Sequence, residues 1–199
     1  GMSIIPEFIE KLELMGIAEQ FTITKTEIIN NLTGSSIYFS GIRTSSGDQT
    51  AKLKSIQGVS TFVLDEAEEL TDEESFDKID FSIRAKEVPN RCILILNPTT
   101  KEKWIYQRFF QNRGIPDGFN GNKNDITYIH TTYLDNLEHL SKSFVAQIED
   151  MKVRRPEKYK HQIMGGWLQR AEGVIFTHWN IGKFNDDIDS IFGLDFGFS

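Results

Sequence analysis

"STFVLDEAEEL", residues 60–70, is the stretch from which the fold can be read. Thr61, Phe62, Val63 and Leu64 are β-branched, aromatic or aliphatic, and read as a short buried strand. Asp65 and Glu66 stand at its end, and Glu68 and Glu69 follow. Carboxylates at a strand's C-terminal tip lie at the edge where open α/β sheets bind ligands. Hydrolysis of a nucleoside triphosphate needs charge neutralised on the phosphates and a water aligned for in-line attack. An Asp in this place can hold magnesium, often through water. A neighbouring Glu can orient and deprotonate the attacking water. The same letters also spell a strand that runs into a helix with an acidic first turn, so the motif needs support from the rest of the chain.

The next strand supplies some. "RCILILN", 91–97, is a continuous apolar run that suits a central strand covered on both faces. It ends on "NPTT", where Asn97 and Thr99 are small polar groups able to hydrogen-bond a water or a γ-phosphate. Thr99 or Thr100 can equally cap a following helix. Between the strands the pattern predicts a helix over 72–84 with Thr71 as N-cap, and after them a helix over 101–111. "GIPDGFNGNKND", 114–125, reads as a Gly/Asn-rich surface loop, 126–133 as a strand, and 141–153 and 156–165 as helices. Upstream, a helix is expected over 5–19 and two or three strands over 21–42, with turns at Asn30-Asn31 and Gly34-Ser35. A polar loop with a short helix at 50–56 leads to strand Val59–Leu64. Strands alternating with helices imply parallel βαβ units in a three-layer α/β architecture, a mostly parallel sheet flanked by helices.

Bulk properties narrow the function. The 199 residues, 39% hydrophobic and 26% charged, fit a globular chain of one domain or one and a half. No apolar run approaches the ~20 residues that cross a bilayer, and the start has no basic leader. The single cysteine, Cys92, rules out an internal disulfide and a cysteine metal site, and reads as a small buried hydrophobe suited to a reducing compartment. The histidines, His130, His139, His161 and His178, have no metal-ligand spacing. Net charge is −7, whereas a protein that only gripped DNA would be basic. Charge is uneven, however: Asp65–Asp80 holds nine acids and one lysine, and Lys152–His161 holds five Lys or Arg and one Glu. Lys152, Arg154, Arg155 and Lys158 in the basic run are candidate phosphate contacts; a solvated helix surface accounts for the run as well.

A phosphate loop, G-x-x-x-x-G-K-[ST], is not found in these residues. Lysine follows closely behind glycine only in "GNKN" at 121 and "GKF" at 182, neither with the right spacing. The water-activating half of an ATP site is therefore legible, and the phosphate-gripping half is not. At the other end, "FGLDFGFS", 192–199, is a strand stopping on Asp195, a common first ligand of a two-metal nuclease site. The composition shift predicts a body over 2–165, a linker over 166–189, and the first strand of another domain over 190–199.

Taken in order, these motifs resemble the large terminase subunit of tailed bacteriophages. "SSIYFSGIRTSSGDQTAKLKSIQGVSTFVLDEAEEL" resembles the family's segment through its Walker B strand, and "ILILNPTT" its coupling motif. "TTYLDN" and "FVAQIEDMKVRRPEKYKHQIMGGWLQRAEGVIF" are similar to its linker region, and "GLDFGFS" resembles the opening of its RNase H-like nuclease. The resemblance implies a P-loop-NTPase-like fold of the RecA/ASCE type, truncated at the N-terminus, with ATP and magnesium as cofactors. By it, Asp65 coordinates magnesium, Glu66 is the catalytic carboxylate, Asn97 to Thr99 couple hydrolysis to movement, and Asp195 is the first nuclease metal ligand. It implies viral double-stranded DNA, the portal protein and the small terminase subunit as partners. It further implies ring assembly on the portal, an endonuclease activity, and the bacterial host cytoplasm as the place of work. On this reading the chain is a fragment, a partial ATPase domain over 2–165 that alone turns over little or no ATP. Three other readings stand beside it. One is a helicase, since "DEAE" resembles the helicase acidic box, although no Q-x-x-G-R-type motif follows residue 100. The second is a non-catalytic module that binds DNA or the portal through the basic run. The third is an inert prophage remnant.

Overall fold

The computed structural model of the chain describes residues 4–39 and 58–169. The helix expected at 50–56, the segment beyond 169 and Asp195 lie outside these residues. The chain divides into two compact units, one of residues up to Asn97 with Lys103–Gly114, the other of Pro98–Glu102 with residues from Ile115 on.

In the first unit, helix α1 (Ile4–Leu14) buries Leu12 and stops earlier than the expected residue 19. Gly16 takes a left-handed conformation (φ 68°), and the Ile17 N–H reaches back to the Leu12 carbonyl (3.0 Å). That is the glycine-terminated helix end that satisfies the last carbonyls. Three short strands follow, β1 (Phe21–Ile23), β2 (Glu27–Asn30) and β3 (Ser36–Tyr38), in an antiparallel meander. The Asn30 side chain accepts from the Leu32 and Thr33 N–H groups and Gly34 has φ 72°, so the turn forms where Asn30 and Gly34 announced it.

Strand β4 (Thr61–Leu64) pairs in parallel with β5 (Arg91–Leu94), with Val63 opposite Ile93 and Leu64 opposite Leu94. Both strands are shorter than expected, and they form the parallel element among the described residues; the other strand pairs are antiparallel. Between them lies α2 (Glu73–Asp80), which buries Phe76 and Ile79. Its N-cap is Asp72 rather than Thr71: the Asp72 carboxylate accepts from the Ser75 N–H (2.8 Å) and hydroxyl (3.0 Å). Helix α3 (Trp104–Tyr106) continues as a π-helical turn over Gln107–Gln111. It starts well past Thr99 and Thr100, so neither caps it.

The expectation that 91–97 is covered on both faces is not met. Phe62, Leu64, Cys92 and Leu94 point inward, and Leu64 is buried. On the opposite face Val63 (53% exposed), Ile93 (45%) and Ile95 (52%) meet solvent. A run of apolar letters matches two-sided burial whether or not a second layer is present, because alternation is hidden when both faces carry aliphatic residues.

In the second unit, part of the expected surface loop is a strand. β6 (Gly121–Lys123) and β7 (Ile126–Tyr128) form a hairpin around Asn124-Asp125. Asn124 takes φ 54°, as a two-residue hairpin turn requires. Helix α4 (Lys142–Arg154) is capped by Ser141, whose hydroxyl accepts from the Phe144 N–H (3.2 Å). Arg155 leaves helical geometry, and Pro156 opens α5 (Pro156–Gln162) at its first position, where a missing N–H does no harm. Ile148 and Trp167 are buried in this unit. Full burial of side chains such as Ile79, Ile105 and Ile148 stabilises by about 1.5–3 kcal/mol each.

Candidate functional site

The tips of β4 and β5 are tied by backbone. Ile95 N–H donates to the Leu64 carbonyl and Ala67 N–H donates to the Ile95 carbonyl, both at 2.9 Å. These bonds hold Asp65 and Glu66 as a short protrusion at the C-terminal edge of the parallel pair. Asp65 is exposed, and one of its carboxylate oxygens accepts from the Glu66 N–H (3.1 Å). Glu66 is exposed too and sits in the left-handed region (φ 53°, ψ 45°), which non-glycine residues seldom occupy. A tight turn between the Glu66 carbonyl and the Glu69 N–H (2.9 Å) follows, and Ala67 is fully buried beneath it.

Glu68 is the residue that pattern reading passed over. It is 9% exposed, and its Oε1 accepts from the Asn97 side-chain amide at 3.3 Å. Its Oε2 is buried with no hydrogen-bond partner among the described residues. The only available signal was its count within the acids after β4, which says nothing of direction; the turn at Glu66 is what rotates Glu68 inward. Asn97 is therefore gathered with Asp65 and Glu66 on one edge, through Glu68.

The edge rests on an aromatic and ionic brace. Trp104 Nε1–H donates to the Leu70 carbonyl (2.7 Å), and the Trp104, Phe76 and Phe109 rings contact one another at 5.4–6.1 Å between centroids. Arg108 lies over the Phe76 ring and pairs with Asp77 (2.6 Å) and Glu73 (2.9 Å) on α2. Burial alone lowers the pKa of this guanidinium; the bonds to Asp77 and Glu73 outweigh it and raise the pKa. On β5, desolvation and then the bond to Asp80 (3.2 Å) push the Cys92 thiol up to about 12, so it stays protonated and inert.

The remaining expected residues lie elsewhere. Thr99 belongs to the second unit, where its carbonyl accepts from the Leu168 N–H (2.8 Å) and its hydroxyl is buried without a partner among the described residues. Lys152, Arg154, Arg155 and Lys158 are on α4 and α5 of that unit or at the bend between them. Lys152 faces Glu149 (3.7 Å) and the Tyr159 ring, and Arg154 pairs with Asp150 (2.7 Å). Arg155 and Lys158 make no ion pair among the described residues. No group of three or more metal-ligating side chains occurs among the described residues. Asp65 alone suits a magnesium ion whose other ligands are phosphate oxygens and water, the usual arrangement for that ion.

A parallel strand pair whose first member runs into exposed Asp-Glu, and whose second leads to an Asn hydrogen-bonded to Glu68, is the α/β part of the chain that carries these residues. A solved structure agrees in fold: the large terminase from a thermophilic bacteriophage superposes with a TM-score of 0.57 over 80% of this chain and 37% of its own, at 16% identity. The family model described as phage terminase large subunit matches residues 2–166, and the chain belongs to that family. Among relatives, the terminase large subunit of Bacillus phage SPP1 is 29% identical over 98% of this chain and 47% of its own length. The PBSX phage terminase large subunit of Bacillus subtilis (strain 168) is 30% identical over 83% of this chain and 41% of its own. The chain thus spans less than half the length of these relatives. Among the described residues no helix is long and apolar enough to cross a membrane.

Proposed function

We propose that this chain contributes the magnesium- and water-holding edge of the ATPase that drives viral DNA packaging. One observation carries the reading: Asp65 and Glu66 protrude from the same parallel strand edge on which Asn97 is tied to Glu68. Bound ATP and magnesium would supply the reacting phosphate and the positive charge that neutralises it. Asp65 would hold the ion, and the exposed Glu66 would accept the proton of the attacking water. Asn97 would hydrogen-bond the water or the γ-phosphate, with Thr99 following it in the coupling segment. Residues outside these 199 would grip the phosphates, and the chain alone would turn over little or no ATP. The reading divides the chain into a partial ATPase domain over 2–165, a linker over 166–189 and a nuclease strand over 190–199, in which Asp195 is a metal ligand. The working partners would be double-stranded DNA, the portal protein and the small terminase subunit, met in the host cytoplasm.

Calorimetric titration with magnesium and a non-hydrolysable ATP analogue tests the reading. Binding that is lost in Asp65→Ala supports it; binding of the same strength in that variant overturns the role of Asp65. Steady turnover at ~1 s⁻¹ or more by the chain alone, abolished by Glu66→Gln, would uphold the site and refute the claim that the isolated chain is idle.

A further inference from the structure

The bend between α4 and α5 carries a feature that the ATPase edge does not use. A cavity of about 360 Å³ opens there, lined by Arg155, Pro156, Glu157, Lys158, His161 and Leu168. Its wall is well fixed. Gly166 N–H donates to the Lys160 carbonyl (3.0 Å), His161 Nδ1–H donates to the Gly166 carbonyl (2.8 Å), and Leu168 is bonded on both sides to Thr99 and Lys101. Gly166 approaches the Lys160 backbone so closely that an added Cβ would lie 2.9 Å from that carbonyl oxygen.

Charge is sorted around the bend. Lys152 and Arg154 have acids of α4 as partners, whereas the Arg155 guanidinium and the Lys158 ammonium have no hydrogen-bond or ion-pair partner among the described residues, and both line the cavity. Glu157 is the acid that also lines it. Because the Gly166 carbonyl can only accept, the His161 proton sits on Nδ1, which fixes the ring and leaves Nε2 as its second polar atom. Arg155 and Pro156 are exposed and Lys158 and Leu168 half-buried, so two cations without a partner among the described residues face one solvent-open hollow, where an arginine can fork onto two oxygens of one anion.

We propose that this cavity binds a phosphate group, carried by the backbone of a DNA strand or by a free nucleotide. Arg155 contacts the phosphate with its guanidinium and Lys158 supplies the second positive charge. Only the DNA source rests on the packaging reading; the phosphate site stands without it.

The test uses the whole 199-residue chain. Anisotropy of a short fluorescein-labelled duplex is followed across a salt series, with circular dichroism to confirm folding. Arg155→Ala with Lys158→Ala is expected to weaken binding about tenfold and lower the salt slope by about two. Lys152→Ala with Arg154→Ala is expected to change affinity by less than about twofold, since exposed paired charges contribute little. The exchange Arg155→Lys with Lys158→Arg keeps both charges and should retain most of the affinity, which guards against a folding artefact. Competition with inorganic phosphate and with ATP separates the sources. Displacement by either shows a site open to free phosphates; resistance to both, with the Arg155/Lys158 loss intact, shows a site for backbone phosphodiesters. Asp65→Ala should leave DNA affinity unchanged, so failure of the ATPase reading and failure of the pocket are told apart. Equal losses in the two alanine pairs, or no loss in the Arg155/Lys158 pair, would overturn the proposal.

Discussion

A carboxylate oxygen shut away from water without a donor costs on the order of 1–3 kcal/mol, and Oε2 of Glu68 is such an atom among the described residues. Its other oxygen offsets part of this by accepting from Asn97. Replacement by Gln keeps an acceptor for Asn97 and removes a buried negative charge, whereas Ala removes the acceptor and leaves a void. Glu68→Gln should therefore match or exceed the parent in urea midpoint, and Glu68→Ala should lose about 1–3 kcal/mol. An equal loss in both would show that the charge itself matters at this place. Glu66 presents the complementary case. A side chain held at φ 53° costs on the order of 1–2 kcal/mol, so Glu66→Gly should gain up to about 1 kcal/mol in the same measurement. It should also lose any nucleotide hydrolysis in which the chain takes part, the usual exchange of stability for function at a strained site.

At the scale of elements, capping explains why α2 begins where it does. Hydrogen bonds from the Ser75 backbone, then its hydroxyl, hold the Asp72 carboxyl below its usual range. A folded-state pKa below the unfolded one means the contribution is full above the ordinary Asp value, ~3.9, and fades as pH falls through the lower folded value. Asp72→Ala should thus cost about 1 kcal/mol at neutral pH, and the gap in thermal midpoint should close in acid. A gap that persists in strong acid would mean the effect is not the ionised cap. The same helix shows what sequence could and could not say. Both strands, the acidic turn, and the α4–α5 break at Pro156 were legible, because each rests on local backbone preferences. The shift of the cap from Thr71 to Asp72 was not, because adjacent capping residues compete on equal terms. Strand β6 was hidden by glycine and asparagine, whose letters mark loops even where Asn124 is closing a hairpin. The inward turn of Glu68 depends on one left-handed residue before it, and no periodicity encodes that.

The whole molecule has an acidic balance, with net charge −7, yet exposes Val63, Ile93 and Ile95 side by side on one face of the parallel pair. Like charge holds copies apart at low salt and is screened over ~10 Å at 0.1 M salt, while apolar contact is not screened. Raising salt should therefore favour weak self-association through this face, visible as increased light scattering and binding of an apolar dye. Ile93→Thr with Ile95→Thr removes apolar surface and keeps β-branched side chains, so the strand retains its preference for extended backbone. The double variant should bind less dye and scatter less at high salt. Its unfolding free energy in urea should hold within about 1 kcal/mol, since side chains already half in water contribute little to folding. Dye binding that stays at the parent level would place the sticky surface elsewhere and leave this face as an ordinary share of exposed aliphatic area, of which every folded chain carries some. A clear fall would identify the outer face of β4 and β5 as the chain's main adhesive surface, on the same strands whose tips carry Asp65 and Asn97.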